Sequence, residues 1–137
     1  MAEPTLAQAR GGGKCRACIA RCIAAHPAPR GTHREISRPA YRFSAEDSIY
    51  LHPEAAGKGL GKQLLTALVD KAEAAGVRKL IAVIGDSANV GSVGVHRALG
   101  FQPVGTIASC GWKFGRWLDI VLMDRVVGAG DGTSPEA

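Results

Sequence analysis

Aromatic residues are scarce in this chain. Two Trp, two Tyr and three Phe make up 5% of 137 residues, too few for a platform on which nucleic-acid bases stack, so nucleic acid is not an expected partner. No apolar run approaches the ~18 residues that a membrane-spanning helix needs. Residues 1–13 lack the apolar stretch of a secretory leader, and a cytoplasmic, reducing setting is the expectation, with no membrane partner. Cysteine is also sparse: four residues, three of them in the first 22, make no disulfide framework. Acidic charge is short only at the start. Residues 1–45 carry eight Arg and Lys against two Glu, and the remainder carries nine against ten. The net charge of +5 therefore belongs to the first third and says little about a folded body.

What is present is enough for one domain. With 46% apolar residues, a chain of this length hides roughly two thirds of the surface that its unfolded form exposes. Residues 1–37 have their own texture, rich in Ala, Arg, Gly, Pro and Cys, and are expected to be a poorly ordered basic segment. Regular patterning starts near Tyr41. Residues 48–51 read as a short strand. Leu60, Leu64, Leu65, Leu68, Val69 and Ala72 recur at helical spacing, which predicts a helix over 60–75 stopped by Gly76. The uninterrupted apolar run at residues 80–84 predicts a strand covered on both faces, parallel to the first. A second helix, capped by Ser87 or Asn89, runs to Leu99 despite Gly91 and Gly94. Residues 102–108, 112–117 and 119–126 read as strand, strand-and-turn and strand, and the tail from Gly128 as a disordered end. The order implies an α/β or α+β sandwich with a mixed sheet.

The most informative segment is the loop between the first strand and the long helix. Gly57, Gly59 and Gly61 let backbone N–H groups turn toward one point, and the following helix adds its unsatisfied N–H groups and positive dipole end. Such a loop suits an anion, with Lys58 and Lys62 within reach of a phosphate. It is not a Walker A loop, because Gly61-Lys62 is followed by Gln63, and it lacks the third glycine of a dinucleotide fold where Lys62 sits. A plain glycine turn that starts a helix is the competing reading.

Strand, Gly57-Lys58-Gly59-Leu60-Gly61, amphipathic helix, buried strand, Asn89 and then His96-Arg97-Ala98-Leu99-Gly100-Phe101 together resemble the second half of a GNAT-family acetyltransferase. The runs at residues 38–43, 46–51, 82–89 and 111–119 resemble the phosphinothricin or methionine sulfoximine N-acetyltransferase branch, and the likeness covers about residues 38–127. It implies a GNAT-like mixed β-sheet flanked by helices, with an atypical N-terminal half, that uses acetyl-CoA as cosubstrate and no metal to acetylate the amino group of a small amino-acid-like molecule.

By the same resemblance, acetyl-CoA lies where two parallel strands splay. Ile49, Tyr50 and Leu51 would pair with the pantetheine arm, Gly57, Lys58, Gly59, Leu60, Gly61 and Lys62 would hold the pyrophosphate, and Asn89 would contact the arm. Glu46 would be the base that deprotonates the amine and His96 the proton donor to the leaving thiolate. A backbone N–H near Leu51 would meet the oxyanion, and Arg38 and Tyr50 would hold the anionic end of the substrate. A homodimer is an expectation of the same kind. Each residue also has an ordinary reading: Glu46 as an exposed carboxylate before a strand, His96 as a satisfied core histidine, Asn89 as a helix cap, Arg38 as a solvated loop charge. Trp112 and Trp117 read as core or dimer packing.

Three features depart from the branch, one of them Gly91 and Gly94, where Ala or another helix former is usual. Ala56 stands where a side-chain donor is usual in the loop. Residues 1–37 match none of the strand and helices expected ahead of the first strand, and their bias is what a shifted frame in GC-rich coding sequence produces. On that reading the chain keeps the cofactor half and is a relict that binds coenzyme A or a partner without turnover. Within this segment, Cys15, Cys18, Cys22 and His26 have a loose resemblance to zinc spacing, but also the spacing of one helix face. Cys110 reads as a small core filler.

Overall fold

The computed structural model describes residues 5–7, 19–24 and 39–135. Six strands form one sheet in the order β1-β2-β3-β4-β6-β5, where β1 is Thr5–Ala7, β2 Ile19–Ala24, β3 Ser44–Tyr50, β4 Lys79–Gly85, β5 Gln102–Lys113 and β6 Arg116–Val126. Helix α1 (Leu60–Ala74) crosses from β3 to β4, and α2 (Val90–Ala98) follows β4. Only β3 and β4 are parallel among these neighbours. A parallel pair needs a crossover, and α1 supplies it. This is the mixed α/β architecture expected.

The core forms where α1 meets the sheet. Leu64, Leu65 and Leu68 are wholly buried on one stripe of α1, against Ala45 of β3, Leu80 and Ala82 of β4 and Met123 of β6, with Phe101 beside them. Each such leucine contributes about 1.5–3 kcal/mol by leaving water. Gly76, at φ +81°, ends the helix in a conformation that other residues adopt with difficulty.

Several boundaries differ from the sequence reading. The first strand starts at Ser44, not residue 48, because Ala45 and Asp47 face the core and extend the alternation toward the N-terminus. Strand β4 is not covered on both faces. Leu80, Ala82 and Ile84 are buried, whereas Ile81 and Val83 are 37% and 38% exposed, so its continuous apolar run has one face open among the described residues. The three expected strand pieces after Gly100 are a single long hairpin. Its two-residue turn, Phe114-Gly115, has φ of +56° and +70°, the positive pair that suits a tight hairpin.

The N-terminal segment set apart as poorly ordered contributes β1 and β2, and β2 pairs antiparallel with β3 from Ile19↔Tyr50 to Ala24↔Ala45. Cys22 thus lies in a strand and not on a helix face, while Cys15, Cys18 and His26 lie outside the described residues. The end expected to trail from Gly128 turns back instead. Val127 N–H donates to Arg78 O at 3.0 Å, and Arg78 Nη1 donates to Thr133 Oγ1 at 3.2 Å. Cys110 is exposed and no core filler. Trp112 and Trp117 are directly cross-strand, edge to face with centroids 5.2 Å apart, and remain 63% and 59% exposed; their packing is on each other.

Candidate functional site

Strands β3 and β4 pair from Ser44↔Lys79 only as far as Asp47↔Ala82, although both continue beyond that point. A cavity of about 230 Å³ occupies the resulting fork, lined by residues 47–50 of β3, 83–85 of β4, and Asn89, Ser92 and His96 at the head and inner face of α2. Its walls offer unpaired strand backbone on two sides. An extended ligand carrying amide groups can take up such edges as a further strand would.

The glycine loop divides into two functions. Gly57 and Gly59 both have φ +73° with open space where a β-carbon would stand, so glycine there serves backbone conformation. Gly61 is helical and buried, 3.2–3.5 Å (as an added β-carbon would see it) from Leu51 and Val95. It serves the approach of α1 to α2 and to the strand end, so the expectation that all three glycines turn the backbone holds for two. The backbone N–H groups of residues 57–62 have no acceptor among the described residues, and Gln63 N–H is the first to bond, to Gly59 O at 3.2 Å. Six free amides at a helix N-terminus, with Lys58 and Lys62 exposed beside them, favour an anion.

The expected acid and base are not brought into one cavity. Consecutive strand residues point to opposite faces: Glu46 is exposed, whereas Asp47 is 3% exposed and faces the helices. Partial desolvation and the neighbouring charge of Asp47 raise the Glu46 pKa. His96, 4% exposed, is held from two sides, with Nδ1 2.7 Å from Ser92 O and Nε2 2.9 Å from Asp47 Oδ2.

Ile49 and Tyr50 line the fork. Leu51 lies just past the strand, against Gly61. Asn89 is the N-cap of α2, its Oδ1 accepting from Ser92 N–H at 3.2 Å, and it also borders the cavity; the cap and the ligand-contact readings are compatible, because its amide NH₂ stays free of partners among the described residues. Glu46 lies within β3 rather than before it. Arg38 lies outside the described residues.

Sequence reasoning missed Asp47 and Ser92. An acidic residue inside a strand pattern next to an alanine signalled a buried carboxylate in need of a partner. It missed as well a polar brace between the β4–α2 loop and the hairpin. Asp119 Oδ2 accepts from Ser87 Oγ at 2.9 Å and Oδ1 from Ser109 N–H at 3.0 Å, while Arg116 is bonded to Asp86. The Arg116 hydrogen bond lowers the Asp86 pKa, and the Ser109 N–H lowers that of Asp119.

The forked sheet and the glycine loop that leads into α1, joined where Leu51 meets Gly61, are the two marked features of an α/β domain. The family described as Acetyltransferase (GNAT) family matches residues 3–101, and the chain belongs to that family. The match begins at residue 3 and takes in the segment that composition set apart. The chain is 52% identical over 99 residues to a phosphinothricin N-acetyltransferase of Alcaligenes faecalis, covering 72% of this chain and 50% of that protein. It is 46% identical over 83 residues to an L-methionine sulfoximine/L-methionine sulfone acetyltransferase of Pseudomonas aeruginosa, covering 61% and 48%. Among solved structures, a GNAT superfamily phosphinothricin acetyltransferase from Sinorhizobium meliloti in complex with AcCoA superposes with a TM-score of 0.75 at 45% identity, over 87% of this chain and 58% of that one. The chain spans about half the length of the curated relatives it matches. Among the described residues no helix is long and apolar enough to cross a membrane.

Proposed function

We propose that the protein transfers an acetyl group from acetyl-CoA to the amino group of a small amino-acid-like substrate of the phosphinothricin or methionine sulfoximine type. The observation that carries this reading is the fork between β3 and β4 beside the six free amides of residues 57–62. The relatives that share this region are named for those two substrates.

In this reading the amides of residues 57–62, with Lys58 and Lys62, hold the pyrophosphate of coenzyme A. The backbone of Ile49, Tyr50 and Leu51 pairs with the pantetheine arm, and the free amide of Asn89 bonds to it from the other side. A backbone N–H near Leu51 meets the developing oxyanion. Glu46 takes the proton from the substrate ammonium, through one water where the distance requires it, and His96 serves the departing sulfur. Tyr50, exposed at the mouth of the fork, contacts the anionic end of the substrate together with Arg38. No metal takes part, the expected partner is the small amine, and the setting is cytoplasmic.

The test is a melting curve at increasing acetyl-CoA, since ligand at 100 times its Kd adds about 2.7 kcal/mol to stability. A thiol-release assay with methionine sulfoximine and with phosphinothricin follows. A melting temperature that acetyl-CoA does not move removes the reading at its first step. Binding without thiol release removes the transfer step and leaves a coenzyme A-binding domain.

A further inference from the structure

Asp47 occupies the last paired position of β3, opposite Ala82, so it stands where the two strands part. Its Oδ2 lies 2.9 Å from His96 Nε2, and His96 Nδ1 lies 2.7 Å from Ser92 O. A carbonyl oxygen only accepts, so Nδ1 carries a proton. Nε2 faces a carboxylate, and with that carboxylate ionised it carries the second proton. The ring is thus wired as an imidazolium. Around it, Phe101 packs edge-on at 5.0 Å, β4 presents Val83 and Ile84, and the charged Arg97 and Arg125 stand toward the far end of α2, where Arg125 donates to Leu99 O. Glu46 is on the other face of β3, and Tyr50 is further out along the fork. Asp47 is the carboxylate in contact with the ring. Burial alone pushes the imidazole pKa down, but the hydrogen bond and charge of Asp47, with the Ser92 carbonyl, outweigh it and the net direction is up.

We propose that Asp47 is a positioning residue that keeps His96 as an imidazolium at the fork, and that this charged form protonates the departing coenzyme A sulfur. The proposal rests on the acetyltransferase reading. As the carbon–sulfur bond breaks, its electron pair goes to sulfur; the Nε2 hydrogen, until then donated to Asp47 Oδ2, leaves that hydrogen bond, its N–H bond breaks and an S–H bond forms. What remains is a neutral imidazole with Nδ1–H still on Ser92 O and a bare Nε2 against the ionised Asp47 carboxylate, a juxtaposition of two acceptors that favours return of a proton from solvent water. An alkyl thiol titrates near 8.5, about two units above an ordinary imidazole, so a histidine raised above its ordinary value is better matched to its acceptor. A second observation agrees. Asp47 Oδ1 is buried with no hydrogen-bond partner among the described residues, so the carboxylate has room for one more donor, such as the new thiol.

The test compares wild type with Asp47→Asn and Asp47→Glu. Histidine side-chain NMR of the ligand-free protein, with the His96 signal identified from His96→Gln, is expected to show His96 titrating above the ordinary histidine value of about 6.5 in wild type and at or below it in Asp47→Asn. Turnover in Asp47→Asn is expected to fall about a hundredfold, with the KM for acetyl-CoA little changed and the alkaline limb of the rate profile moved to lower pH. Asp47→Glu restores part of both. Acetyl transfer by a wild-type protein in which His96 titrates at or below about 6.5, the ordinary histidine value, overturns this proposal alone, and needs no variant to fold. An alkaline limb unmoved in Asp47→Asn also overturns it. A wild type that holds the raised titration and transfers no acetyl group to either amine overturns the acetyltransferase reading and the proton-donor role with it.

Discussion

Gly61 packs against Leu51 so closely that a β-carbon on the glycine would stand 3.2 Å from Leu51 Cδ1, with Val95 Cγ2 next at 3.5 Å. The nearest atom is the far end of a flexible, partly exposed side chain, which can give by a few tenths of an ångström. Gly61→Ala is therefore expected to change stability by less than about 1 kcal/mol, the lost clearance offset by better helix propensity. Gly61→Val overfills the contact between α1 and α2 and is expected to cost about 1–3 kcal/mol. Urea unfolding of the two variants checks the order.

Gly59 gives the opposite pattern. Nothing lies within 4 Å of an added β-carbon, but φ is +73°, and an L-residue there costs about 1–2 kcal/mol. A chain that relieves this strain re-aims the amides of residues 57–62. Gly59→Ala is expected to shrink the acetyl-CoA-induced rise in melting temperature more than Gly61→Ala does, and equal rises in the two would show that the free amides do not hold the ligand.

Asp119 joins the β4–α2 loop, through Ser87, to the hairpin, through Ser109. Ser109 has φ +52°, an uncommon backbone state for serine that the carboxylate bond to its N–H helps retain. Asp119→Ala is expected to speed hydrogen exchange of the Ser109 amide and leave that of Leu68, deep in α1, unaffected. The hydrogen bonds that lower the pKa of Asp86 and Asp119 make this brace present above the ordinary carboxylate range and lost as pH falls through the lowered values. Ser109 protection is accordingly expected to decline in acid before α1 unfolds.

The parts of the fold that were legible from sequence are those where one physical signal acts alone. Helix α1 was readable because its leucine stripe has a single period and Gly76 ends it. The turn ahead of α1 was readable because Gly57 and Gly59 take a positive φ that other residues adopt with difficulty. Strand β4 was half legible: a continuous apolar run reads as doubly buried, yet Ile81 and Val83 are open, since a run cannot report whether a second layer covers its far face. Strand β2 was missed because its apolar residues are interrupted by Arg21 and Cys22, and its pairing with β3 is long-range, invisible to local pattern. The His96–Asp47 contact spans 49 residues and gave no local signal beyond an acid in a strand. The hairpin reads as separate pieces because Gly105 and Gly111, at its register shifts, look like turns.

Stability should fall with rising pH near neutrality. The folded His96 binds its proton more tightly than an unfolded histidine of pKa about 6.5. The stabilisation is therefore present in full below about pH 6.5 and is lost as pH rises through the higher folded value. Wild type unfolded in urea at a series of pH values is expected to show this decline, and Asp47→Asn is expected to flatten it. A wild-type curve that rises across the same window contradicts the imidazolium at the fork.

Glu46 gives a prediction at the acid side of the profile. It sits on the face of β3 opposite the fork's histidine, beside Ile81 of β4, and its pKa is raised from 4.5 by partial desolvation and by Asp47. A general base works in its ionised form, so acetyl transfer is expected to fall as pH drops through a value above 4.5. Removing the Asp47 charge moves that limb down toward 4.5, in the same direction as the alkaline limb, so Asp47→Asn is expected to shift the whole rate profile toward acid rather than narrow it. Glu46→Gln is expected to lower turnover by about 100-fold or more while the acetyl-CoA-dependent rise in melting temperature stays as in wild type, because residue 46 lies outside both the cavity lining and the amide loop. Turnover in Glu46→Gln equal to wild type would assign the proton abstraction to another group, and loss of the acetyl-CoA shift in that variant would place Glu46 in cofactor binding instead.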